Sequence, residues 1–102
     1  MPLVMQRDGP YAVPRLLCDH CGAVIRTAAD GNYQWSEAML EDDTATAMFF
    51  THKDCCDAFE AAHGGGHVWS AIGLECLPYF LARNLHVTWQ QSQASARLMM
   101  QG

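Results

Sequence analysis

The sequence predicts a small α+β domain, and three observations carry the prediction. Two cysteines stand two residues apart ahead of a glycine, as Cys18-Asp19-His20-Cys21-Gly22. About thirty residues later a histidine and two further cysteines follow an apolar stretch, as His52-Lys53-Asp54-Cys55-Cys56. Between the two groups, β-branched and aromatic stretches flank an Asp30-Gly31 pair, which is favoured chemistry for a tight hairpin turn.

The Cys-x-x-Cys-Gly element is the usual form of a zinc knuckle. Its two-residue spacer lets both thiolates face one ion, and the glycine permits the tight backbone turn beneath it. His52 with Cys55 or Cys56 brings the second half of a tetrahedral donor set. Cys55 makes His-x-x-Cys and lies on the apolar face of the helix that follows. Cys56 makes His-x-x-x-Cys, which the imidazole arm also reaches, so the fourth ligand stays open between them with Cys55 preferred. The expected metal residues are therefore Cys18, Cys21, His52 and one of Cys55 and Cys56, around one structural Zn²⁺.

Each element has a local reason. Residues 1–14 read as an irregular arm, because Pro2, Pro10 and Pro14 prevent a helix and Gly9-Pro10 marks a turn. Arg15-Leu16-Leu17 leads into the knuckle, and Ala23 to Thr27 leaves it as a β-branched strand. Tyr33 to Ser36 alternates aromatic and polar and returns after the Asp-Gly turn. Glu37 to Ala47, with Glu41, Asp42 and Asp43, reads as a solvated loop. Ala47 to Thr51 forms a third strand that delivers His52.

A helix follows at once. Asp54 is a suitable N-cap, and Cys55, Ala58, Phe59 and Ala62 fall on one face. Gly64-Gly65-Gly66 ends it. Ser70 is placed to cap a second helix reaching Leu85. Pro78 requires that helix to begin near Leu77 or to split into two pieces. His86 to Trp89 reads as a last strand, and Gln90 to Gln101 as a polar helical tail.

The order of knuckle, hairpin and ligands at a helix start resembles the treble-clef zinc fingers. The Cys-x-x-Cys and His-x-x-Cys pairs also resemble the first site of LIM-type modules, although a second site is missing. The pattern is similar, too, to small uncharacterised bacterial zinc-binding proteins. The resemblance covers about residues 15–63 and implies a treble-clef-like zinc domain with added C-terminal helices. It implies no activity.

The remaining candidates read as ordinary structure. His20 points outward from the knuckle. His63 and His67 repeat the His-x-x-x-His spacing of a two-Cys, two-His finger but stand too far from Cys21 for one, so they are assigned to a helix end and loop. Cys76, Trp35, Trp69, Tyr79, Phe80 and Trp89 are expected in the core. Thioredoxin-like chemistry is excluded at Cys18 and Cys21, since β-branched residues follow where a helix is needed.

Size and charge bound the function. A length of 102 residues suits one domain, divided into an arm (1–14), a zinc-binding core (15–63), a helical extension (64–89) and a helical tail (90–102). The formal net charge is −5, with only six lysines and arginines, all scattered. Nucleic-acid affinity rests on neutralising phosphates, so that role is disfavoured and kept as the alternative. A leader peptide and membrane span are not expected, and reduced cysteines point to the cytoplasm. Four or five soft donors leave no open metal position, so catalysis is not expected. A protein partner or a homodimer is the expected role.

Overall fold

The computed structural model describes residues 3–37, 45–64 and 68–101. The acidic cluster, Gly65, Gly66 and His67 fall outside them. The described residues form two sheets and three helices, an α+β arrangement.

The first sheet is an antiparallel ribbon of β1 (Leu3–Asp8) and β2 (Tyr11–Leu16), with Leu3 paired to Leu16 and Asp8 to Tyr11. The expected irregular arm is thus a hairpin. Gly9 sits at its tip with φ +60, a left-handed conformation glycine adopts without penalty. Pro14 pairs with Met5 inside the ribbon. Each strand of a two-stranded ribbon has an open side, where a missing proline N–H costs nothing.

The second sheet has the order β4–β3–β5, all antiparallel, from β3 (Gly31–Ser36), β4 (Phe49–His52) and β5 (Trp69–Gly73). This corrects two expectations. The hairpin expected between Ala23–Thr27 and Tyr33–Ser36 does not form, because β3 pairs with β4 and β5 instead. Ala28–Asp30 is a short 3₁₀ turn leading into it. Ser70 caps no helix, since Trp69–Gly73 extends along β3 with Ile72 opposite Tyr33.

Gly31 belongs to β3 rather than to a turn, and packing demands it there. A Cβ at this position would lie 2.9 Å from both Ile25 Cγ2 and Leu74 Cδ2.

The pleat gives β3 two buried faces. Tyr33 and Phe50 turn to one side and join Cys18, Ile25 and Leu74 in the main core, with Trp35 and Leu77 packed at its margin. Gln34 and Phe49 turn to the other side. There Phe59 from α1 (Cys56–Ala62) packs tilted against Phe49 and edge-on to Trp69, at centroid distances of 5.1 and 5.7 Å. Gln34 and Thr51 are wholly buried beside them, and the Thr51 hydroxyl donates to Gln34 Oε1 at 2.6 Å. His63 ends α1 by stacking on Phe59 at 4.1 Å, with Nδ1–H donating to the Phe59 carbonyl at 2.9 Å.

Beyond β5, a 3₁₀ turn at Leu74–Cys76 leads into α2 (Leu77–Asn84), with Pro78 in its tolerant first turn. Cys76 is exposed and not a core residue, because Leu74 takes the inward position of that turn. Tyr79, Phe80 and Trp89 are also exposed, against expectation. His86 to Trp89 makes no strand. His86 adopts φ 55, and Val87 N–H reaches back to the Ala82 carbonyl at 3.0 Å, closing α2 as a Schellman turn. Thr88 then starts α3 (Trp89–Gln101) with a capping box. Its hydroxyl accepts from Gln91 N–H at 3.1 Å while Gln91 Oε1 accepts from Thr88 N–H at 2.8 Å.

The close approach at Gly31 predicts that Gly31→Ala lowers stability by about 1–3 kcal/mol through overpacking. Cys76→Ala, on an exposed turn, should stay within about 0.5 kcal/mol of the parent. Paired denaturant titrations measure both, and equal losses would contradict the packing described.

Candidate metal centre

The site assembles where the knuckle docks on β4. Leu17 and Val24 bridge the two arms of the knuckle. Cys18 N–H donates to Ala23 O at 2.8 Å and Gly22 N–H to Cys18 O at 2.9 Å. Gly22 turns the chain with φ +79, in open space, so its requirement is one of backbone conformation. Asp19 then fastens this loop to the outer edge of β4. Its N–H donates to Phe50 O at 2.7 Å, and its carboxylate accepts from Phe50 N–H at 2.8 Å. Sequence reasoning missed Asp19, whose role becomes visible only once β4 is known to lie beside it.

This docking brings Cys18, Cys21, His52 and Cys55 together. One donor atom from each lies within 4.8 Å of all the others, so the four could hold a metal ion. Bonds of about 2.3 Å to sulfur and 2.0–2.1 Å to nitrogen imply tetrahedral edges of about 3.6–3.8 Å. Cys21 Sγ and His52 Nδ1 already stand 3.4 Å apart. All five cysteines are free thiols.

The imidazole is oriented by its far side. His52 Nε2 lies 3.2 Å from the Val24 carbonyl, which only accepts, so the proton belongs on Nε2. Nδ1 is left with its lone pair facing the thiols. A ligating histidine commonly has its other nitrogen satisfied in this way.

The thiols differ in their electrostatics. Cys18 Sγ is buried and accepts three backbone N–H groups, from His20 at 3.4 Å, Cys21 at 3.5 Å and His52 at 3.4 Å. Burial alone pushes its thiol up. The N–H groups of Cys21, His52 and His20, with the His52 side chain, outweigh that and hold it at about 6. Hydrogen bonding to Cys18 raises His52 against its own burial. Cys55 moves the other way, to about 11, through burial first and then the neighbouring Cys18 and Cys21 sulfurs.

Cys55 sits on a 3₁₀ turn, Lys53–Cys55, that precedes α1. The helix therefore begins at Cys56, and Asp54 lies within the turn rather than capping it. That extra turn separates the adjacent cysteines. Cys55 joins Cys18, Cys21 and His52, whereas the Cys56 thiol reaches the Glu60 carboxylate at 3.6 Å. His20 is exposed, and His63 is held at the far face of the sheet by Phe59.

Two expectations follow. Cys55→Ser should weaken metal retention at least about tenfold while Cys56→Ser leaves the metal content unchanged, as measured by chelator competition. The Cys55 proton must leave when a cation binds, so apparent affinity should fall at least about tenfold per pH unit below neutrality. Competition from Cys18 protonation steepens the fall as pH drops through about 6. A flat affinity profile between pH 8 and pH 6 would contradict this account of the thiols.

Comparison with protein-family models, with curated proteins and with solved structures found no match, so the functional reading rests on the fold and on the geometry of these four side chains.

Proposed function

We propose that the chain is a zinc-stabilised, treble-clef-like module that acts by contact with other protein surfaces and carries no catalytic centre. The observation that carries this reading is the convergence of three sulfurs and one correctly oriented imidazole nitrogen. A tetrahedral sulfur-rich set of this kind suits Zn²⁺. Cys18, Cys21, His52 Nδ1 and Cys55 would supply all four positions, leaving none for the water that a catalytic zinc activates. The ion's contribution is a cross-link between knuckle, strand and helix start.

The order of elements supports the treble-clef reading: a tight knuckle comes first, then strands, then a helix whose lead-in turn bears the last donor. Size supports the structural role. A chain of 102 residues buries only about 60–65% of its extended surface, and a metal is a common remedy for a small core. The protein-contact role is supported by apolar side chains displayed on α2, α3 and the turn between them, including Tyr79, Leu85 and Trp89.

Metal analysis of the purified protein should return one zinc per chain. Chelation at neutral pH, or Cys21→Ser, should abolish cooperative melting of the sheet, because binding and folding are coupled in such sites. Folded protein without metal, or holding iron instead, would defeat the zinc assignment.

A further inference from the structure

α3 has an unusual setting. From Trp89 to Met100 every side chain is exposed, and among the described residues no element packs extensively along the helix. The molecule is long, with extents of 50 × 29 × 21 Å and a radius of gyration of 15.6 Å, against about 13 Å for a compact chain of this length. An isolated helix shorter than about 12–15 residues is marginal in water. α3 has thirteen residues, most of them Gln, Ser and Ala. Its helicity therefore calls for a surface that the described residues do not supply.

The same region holds an apolar cleft of about 790 Å³ between α2 and the start of α3, with Leu81, Leu85, Val87 and Trp89 among its lining. Along α3, Trp89, Ser92, Ala96, Met99 and Met100 recur on one face. Trp89 and Ser92 line the cleft, so this face of the helix opens into it, while Leu98 lies on the opposite side. Trp89 and Leu85 are each 70% exposed. With about 150–250 Å² for each aromatic side chain and somewhat less for each Leu and Met, the exposed parts of Tyr79, Leu81, Leu85, Trp89, Met99 and Met100 amount to on the order of 700 Å². Stable interfaces take about 800 Å² from each partner.

We propose that the occupant of this cleft is α3 of a second copy, giving a two-fold dimer in which each chain lays its last helix into the cleft of the other. A self-complementary exchange needs a helix and a groove on the same chain, and both are present. Charge does not oppose it: α2 and α3 carry one charged residue each, Arg83 and Arg97, so pairing the surface with itself brings few like charges together. This inference rests on the protein-contact reading above and names its partner and surface.

Sedimentation of the metal-loaded full chain, from about 1 to 200 μM, tests it together with circular dichroism and metal analysis of the same samples. The expected result is a monomer–dimer transition in the micromolar range, with helix signal rising as the dimer forms. The double variant L85E/W89E, changed only at exposed positions, should remain monomeric throughout with unchanged metal content and an intact sheet. A loaded parent protein that stays monomeric overturns the inference and assigns the face to another partner. A variant that dimerises like the parent overturns it too, by placing the contact elsewhere. A dimer that forms without metal would sink the zinc reading and leave this surface standing.

Discussion

The fold turns on one buried sulfur. Cys18 Sγ accepts N–H groups from its own knuckle and from His52 on β4, so one atom joins two segments more than thirty residues apart. Asp19 repeats the connection next door by exchanging hydrogen bonds with Phe50. The outer edge of β4, which would otherwise present unpaired backbone groups, is covered by these contacts. Donor convergence and edge protection are thus the same structural event. The knuckle positions its thiols by docking on the strand, and the strand is capped by the docking.

This arrangement explains why the four donors are so unlike one another. The sulfur at the centre is desolvated but surrounded by amide dipoles, which favour the thiolate. Cys55 arrives at the rim of the same cluster without that compensation and keeps its proton. The imidazole is locked by a carbonyl behind it. One sulfur biased towards the thiolate, one imidazole nitrogen turned to the thiols and one thiol that holds its proton make a graded site. A cation entering it meets attraction first and displaces protons afterwards.

What could be read from the chain was local. The Cys-x-x-Cys-Gly spacing, the helix after His52 and the C-terminal helix each depend on neighbours within a few residues. What escaped was set by partners distant in sequence. Proline spacing argues against helix but says nothing about a free ribbon, so β1 and β2 read as an arm. Trp69–Gly73 read as the approach to a helix because its pairing strand lies more than thirty residues earlier. Asp30-Gly31 has turn chemistry, yet the glycine is required by Ile25 and Leu74. The choice between Cys55 and Cys56 depended on a 3₁₀ turn that shifts the helix start, which helical periodicity does not report. Cys76 read as a core residue because its apolar neighbours do enter the core while its own position on the turn faces out.

The strand order β4–β3–β5 bears on how the protein can be divided. A fragment stopping after Ala62 would contain every candidate ligand and the helix beside them. It would nevertheless bare one side of β3 from Asn32 to Ser36 and remove Leu74 from beneath Tyr33. An unpaired strand flanked by exposed aromatics is a template for adhesion between chains. A minimal expression boundary for this module therefore lies past Cys76, well downstream of the last candidate ligand.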